Sequence, residues 1–195
     1  MCGLVGIFDP SQVYTKDHLD KAIDSIGYRG VDERGVEKIG PSWMAHVRLA
    51  VVDPENGHQP MTNADGSVHV IFNGEIYNHK SIRKDLEAKG YAFKSRCDTE
   101  VLIHLWREKR ELLLEDLVGM FVFFIWDSAT STGILARDRQ GIKPCYLSSV
   151  RGGGLAFASE IKALRCLPGI GDQIDYQALG LVHAFNYVPP PNTCF

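Results

Sequence analysis

The stretch that decides the fold runs from Met120–Trp126 (MFVFFIW) through Ser128–Gly133 (SATSTG) to Ile134–Ala136 (ILA). An unbroken apolar run of strand length, a polar turn cluster with Gly, and a second apolar run read as two strands joined by a hairpin turn. Tyr146–Ser149 and Leu155–Ala158 repeat the pattern, with Arg151–Gly154 as the intervening turn. Working outward, Gly3–Phe8 reads as a strand that starts almost at the N-terminus, Met44–Val52 as a strand around the polar His46 and Arg48, and Val68–Phe72 as a strand running into an Asn73-Gly74-Glu75 turn. Tyr28–Gly35, rich in Gly and charge, reads as a loop.

Helical spacing occurs in separate blocks. Leu19, Ala22, Ile23 and Ile26 follow a Thr15 cap. Ile82 and Leu86 share a face after an Asn78 cap and before Lys89-Gly90. Val101, Leu102 and Leu105 follow Asp98, and shorter pieces cover Ile161–Leu164 and Tyr176–Val182. Strands joined by hairpins, with helices segregated, predict an α+β fold with antiparallel sheets, not a doubly wound parallel sheet.

At 195 residues the chain suits one domain with a short extension: residues 1–185 as the domain and 186–195, containing Tyr187-Val188-Pro189-Pro190-Pro191, as a linker. A net charge of -3 supplies no electrostatic reason to expect nucleic acid or an anionic membrane as partner. The apolar N-terminus lacks a basic flank and stops at Asp9-Pro10, which predicts neither a signal peptide nor a membrane span. Five scattered cysteines (Cys2, Cys97, Cys145, Cys166, Cys194) form no C-x-x-C pair and point to a reducing, cytoplasmic setting. No H-x-x-x-H pair, P-loop or G-x-G-x-x-G occurs, so neither a metal site nor a nucleotide site is predicted.

Three groups of residues carry possible chemistry. Cys2 becomes N-terminal once Met1 is removed, and its α-amine, with a reference pKa near 7.7–8.0, can then act as base for its own thiol. The plain alternative is a small buried residue opening a strand. An amide and a glycine N–H at Asn73-Gly74 can point at one oxygen and form an oxyanion hole, or be an ordinary turn. Arg48, Glu75 and Asp98 could hold the carboxylate and ammonium of a free amino acid, the carboxylate bidentately; structural ion pairs and a helix cap at Asp98 are the alternatives.

Read together, these segments resemble the class II glutamine amidotransferases, most closely the N-terminal domain of glutamine-using asparagine synthetases. The likeness rests on Met1–Phe8, Tyr28–Asp32, His46–Asp53, Phe72–His79, Asp98–Leu102, Leu117–Phe121, Ala136–Pro144 and Phe157–Leu164, in family order over nearly the whole chain. It implies a four-layer αββα sandwich of the N-terminal nucleophile hydrolase type. It also implies that Cys2 attacks the carboxamide of L-glutamine, that Asn73 and the Gly74 N–H hold the oxyanion, and that Arg48 binds the substrate carboxylate with backbone help from Leu49, Val51 and Val52. Glu75 and Asp98 would bind the ammonium.

Tyr28 and Val31 stand where the family has His or Arg and Pro, which bears on loop closure over glutamine. The family's Ser-Gly-Gly-x-Asp-Ser loop, which binds ATP, is missing, so ATP and Mg are expected only in a synthetase domain outside this chain. The expected partner is a synthetase domain or subunit that accepts ammonia, and the chain is expected to be a fragment or truncated product, with a stand-alone amidase subunit as the alternative. Two other readings are a non-catalytic glutamine-binding or regulatory domain that keeps the fold, and a related amidase acting on another amide.

Overall fold

The computed structural model describes residues 1–171 and 173–195. In chain order the elements are β1 (Gly3–Phe8), α1 (Lys16–Asp24), β2 (Glu33–Ile39), β3 (Ser42–Arg48), β4 (Met61–Thr62), β5 (Val68–Ile76), α2 (His79–Ala88), α3 (Thr99–Lys109), β6 (Gly119–Asp127), β7 (Thr132–Arg137), β8 (Tyr146–Val150), β9 (Gly154–Ala158), α4 (Ile161–Leu164) and α5 (Tyr176–Phe185). Short 3-10 turns lie at Gly27–Arg29 and Arg110–Glu115. Two antiparallel sheets form, one in the order β2-β3-β1-β9-β8 and the other β4-β5-β6-β7.

Period-2 alternation along the strands builds three apolar layers. Leu4, Met44 and Phe157 of the first sheet meet Ile71, Val122, Phe124 and Trp126 of the second. The alternate residues Val5, Ile7, Ala45 and Val47 pack under Leu19, Ala22 and Ile23 of α1 and Ala163 and Leu164 of α4. On the far side Val70, Phe72, Phe121, Phe123 and Ile125 pack under α2 and α3. The result is the expected four-layer αββα sandwich. With both faces of both sheets covered, the central strands read as continuous apolar runs. Among the described residues no helix is long and apolar enough to cross a membrane.

Several local expectations are corrected. Asn73-Gly74-Glu75 is not a turn: β5 continues through it, with Asn73 opposite Val122, Gly74 opposite Phe121 and Glu75 opposite Met120. The glycine serves strand approach instead, because a Cβ there would lie 2.2 Å from the Met120 carbonyl oxygen. The loop at Tyr28–Gly35 is a 3-10 turn followed by the start of β2, which pairs along β3 from Glu33↔Arg48 to Ile39↔Ser42. Its alternating charges are those of an edge strand. β3 stops at Arg48, and Leu49–Val52 forms a loop.

Neither Asn78 nor Asp98 caps its helix through its side chain. The Asn78 amide spans Asp116 and Val118 before β6, and the Asp98 carboxylate accepts from Ile76 N–H at 3.0 Å. Residues 186–195 fold back: the Asp175 N–H donates to the Cys194 carbonyl at 3.0 Å and the Arg165 guanidinium lies 4.5 Å from the Phe195 ring centre.

Candidate active site

One cavity of about 290 Å³ collects Cys2, Arg48, Leu49, Val51, Val52, Asn73, Gly74, Glu75 and Asp98. Every residue singled out in the sequence therefore reaches a single pocket. Its volume lies just below the range of drug-sized sites, about 300–1,000 Å³, and suits one amino acid.

Cys2 sits at the entry to β1, the central strand of its sheet. The Leu49 N–H points at its Sγ (3.4 Å), and the thiol faces the Leu49 carbonyl at 3.8 Å. Its own carbonyl accepts from Arg29 Nε at 3.0 Å, and Arg29 Nη1 is held by Glu160 at 2.8 Å. The Tyr28 hydroxyl also donates to Glu160, and the Lys162 ammonium lies 4.1 Å from the Tyr28 ring centre. The departure at Tyr28 thus brings its own anchor to the glycine loop, whereas Val31 is exposed.

Asn73 is 1% exposed, and its side-chain Nδ2 has no hydrogen-bond partner among the described residues. A buried donor left unsatisfied costs about 1–3 kcal/mol, so its retention calls for a reason. Its backbone neighbourhood is pinned across the two sheets. His46 on β3 meets the Phe72 carbonyl at 3.0 Å, and Phe72 N–H donates to Gln59 Oε1 at 2.6 Å. Burial pushes the His46 imidazole down to about 3, so it is neutral and must carry its proton on Nε2 to donate to that carbonyl. Gln59 Nε2 reaches Thr99 Oγ1 at 3.4 Å.

Arg48 is placed in the cavity wall, but its terminal nitrogens are spent. Nη1 donates to Glu33 Oε1 (2.8 Å) and the Pro54 carbonyl (2.9 Å); Nη2 donates to the Val52 (2.9 Å) and Asp53 (2.8 Å) carbonyls. Gly57 makes room for this, since a Cβ there would lie 2.0 Å from Nη2. The bidentate grip expected of Arg48 is not on offer: among the described residues only Nε–H of its five donors lacks a partner, and the guanidinium instead shapes the loop that carries Leu49–Val52. Asp53 Oδ2 ties the same loop to Arg96 N–H at 2.6 Å.

Asp98 is 5% exposed; burial raises its carboxyl above the usual range, with the Ile76 N–H opposing. A cation arriving beside it would relieve that burial cost. Glu75 is exposed at the rim. Cys97 also lines the cavity, but burial pushes its thiol up and its Sγ–H faces Thr99 Oγ1 at 3.3 Å. Arg29, Gln59 and Lys143 escaped the sequence reading of the site. Arg29 and Lys143 lie within the quoted Tyr28–Asp32 and Ala136–Pro144 segments, and for Gln59 no local signal existed.

Residues 1–195 match the family described as the glutamine amidotransferase domain. The chain is 39% identical over 200 residues to asparagine synthetase [glutamine-hydrolyzing] 1 of Bacillus subtilis, covering 99% of this chain and 31% of that protein. It is 40% identical over 167 residues to asparagine synthetase [glutamine-hydrolyzing] 3 of Arabidopsis thaliana, covering 84% and 28%. In structure it resembles the glutamine phosphoribosylpyrophosphate amidotransferase of B. subtilis, with a TM-score of 0.69 at 24% identity over 85% of this chain and 43% of that one. The chain thus spans about a third of the length of the asparagine synthetases it matches.

Proposed function

Because this chain belongs to the glutamine amidotransferase domain family, we propose that its cavity hydrolyses L-glutamine at Cys2 and releases ammonia for amidation of a carboxylate by an asparagine-synthetase-type domain or subunit. The observation that carries this reading is that Asn73, whose buried Nδ2 has no partner among the described residues, lines the same cavity as Cys2. A buried donor without an acceptor fits an oxygen that arrives with substrate.

Once Met1 is removed, the Cys2 α-amine takes the thiol proton, and Sγ forms a bond to the carboxamide carbon while the C=O electron pair moves onto oxygen. Asn73 Nδ2–H and the Gly74 N–H hold that oxygen. Collapse restores the C=O, breaks the C–N bond and, with the proton returned from the α-amine, expels ammonia. Water then cleaves the γ-glutamyl thioester to give glutamate and the free thiol. Asp98, helped by Glu75, receives the substrate ammonium. Arg48 Nε–H and the Leu49–Val52 backbone face its carboxylate. In this reading residues 1–185 form the glutaminase domain, 186–195 lead toward the synthetase part, and ATP and Mg act only there.

The test is glutamine turnover by protein whose mass shows Met1 removed, beside Cys2→Ala. Turnover is expected from the first and none from the second. Glutamate release by Cys2→Ala at the unaltered rate, or glutamine binding without any turnover by the unaltered protein, would reject the reading; the second result would favour a binding domain.

A further inference from the structure

Lys143 is a buried cation for which the mechanism above has no use. The residue is 7% exposed and lines the cavity with Cys2, Asn73 and Gly74. Among the described residues no hydrogen bond or ion pair involves its ammonium, which is not one of the fully buried unpartnered atoms: the stem is buried while the charged end keeps some open surface. Arg48, which also lines the cavity, is already compensated by Glu33 and three carbonyls.

The local structure invests heavily in placing this one stem. The Asp138 carboxylate accepts from Ile142 N–H (2.9 Å) and Lys143 N–H (3.1 Å), and the Lys143 carbonyl accepts from Arg137 Nε at 2.6 Å. Asp138 Oδ2 also accepts from Phe121 N–H at 3.2 Å. Burial alone would raise the Asp138 carboxyl, but these N–H groups outweigh it and hold it low, so the anchor stays ionised. Phe121 is the cross-strand partner of Gly74. The chain of contacts Lys143–Asp138–Phe121–Gly74 therefore ties the Lys143 backbone to the strand that carries Asn73 and Gly74.

We propose that Lys143 is a further catalytic residue, whose ammonium joins Asn73 Nδ2 and the Gly74 N–H as a charged donor to the oxyanion formed when Cys2 Sγ adds to the glutamine carboxamide. This rests on the glutaminase reading above. As Sγ bonds to carbon, a full negative charge forms on oxygen, which a fixed positive charge stabilises far more than the neutral amide of the ground state. The charge returns to the carbonyl bond when ammonia leaves, so Lys143 neither gains nor loses a proton in the cycle. With the cavity empty, its charge is uncompensated, as the Asn73 donor is unsatisfied, and one incoming oxyanion satisfies both.

The experiment compares Lys143→Met, close in shape and uncharged, with Lys143→Arg in the full chain with Met1 removed. Three quantities are read: kcat and KM for glutamine; inhibition by the γ-aldehyde analogue of glutamine, which forms a tetrahedral adduct with a thiol; and inhibition by glutamate, which does not. Lys143→Met is expected to lower kcat by roughly 10²-fold with little change in KM, and to weaken the aldehyde by a similar factor. It should leave glutamate inhibition unaltered, and Lys143→Arg should recover much of the loss.

An unaltered kcat overturns the proposal. So does a raised KM with weakened glutamate, which would make Lys143 the carboxylate anchor. Should Lys143→Met not fold, Lys143→Gln is read in the same assays. Turnover by the unaltered protein together with an unaffected Lys143 variant rejects only this residue's role, whereas no turnover by the unaltered protein rejects the glutaminase reading and this inference with it.

Discussion

Replacing Asn73 by Ala should separate catalysis from stability. The side chain is 1% exposed, yet its Nδ2 has no partner among the described residues, so the folded protein gains no hydrogen bond from it. Removing an unsatisfied buried donor recovers about 1–3 kcal/mol of desolvation cost. Against this stands the packing lost with the amide, moderated because the side chain already borders an open cavity and no closed void is created. The two nearly cancel, leaving a net change within about 1 kcal/mol. For a chain of this size that moves Tm by roughly 2–4 °C at most. The transition state is affected very differently. Losing one oxyanion donor costs about 2.7–4 kcal/mol of barrier, or roughly 10²–10³ in kcat. Steady-state glutamate release and a thermal melt on the same preparation check both numbers. A kcat within about tenfold of the unaltered protein, or a Tm lowered by more than about 8 °C, would show that Asn73 is held for packing and that the oxyanion argument is wrong.

Gly74→Ala should destabilise, by roughly 1–3 kcal/mol, because its Cβ would lie 2.2 Å from the Met120 carbonyl oxygen and force β5 and β6 apart; a denaturant midpoint equal to the unaltered protein's would contradict that. Arg48→Lys keeps the charge but cannot fork to Glu33 and three carbonyls, so the Leu49–Val52 loop should loosen. Its expected signature is a higher KM for glutamine together with a lower Tm, and a raised KM without any change in Tm would mean that the arginine acts on substrate alone. His46 binds a proton in the unfolded chain near pH 6.5 but in the fold only near pH 3. Its contribution is therefore fully present above pH 6.5 and lost as pH falls toward 3, at up to about 1.4 kcal/mol per pH unit. Glu100, held down to about 2, adds a loss in the same direction only below about 4.5. Denaturant titrations at pH 6.5 and 4.5 should show His46→Gln flattening the fall in stability, and an unchanged slope would exclude His46 as its source.

The sequence and the structure part company at identifiable residues. Asn73-Gly74 carries the local signature of a turn, and locally nothing contradicts it. β6 overrides the signature by pairing with nine consecutive residues, Val68–Ile76, and the glycine admits the neighbouring backbone. β2 escaped notice because an edge strand needs no apolar face of its own; Glu33 and Arg34 read as loop, and Glu37 and Lys38 carry no strand signal, until β3 supplies the ladder. Arg48 was legible as a charge in an apolar stretch that must find a partner. That its partners would be Glu33 and the carbonyls of its own following loop depends on a chain reversal no local rule describes.

What the sequence alone determined is what short-range periodicity and chemistry encode: most of the strands and their hairpins, the helical faces, the α+β class, and a set of residue types able to hold an amino acid beside a thiol at position two. What only the tertiary structure decided is which donors remain free. Among the described residues Asn73 Nδ2 and the Lys143 ammonium have no hydrogen-bond partner, while the Arg48 terminal nitrogens are consumed, and β1, β5 and the Asp138-anchored loop bring all three to one small cavity. Hydrogen-bond satisfaction is a property of three-dimensional neighbours, and a one-dimensional pattern carries the groups but not the pairing.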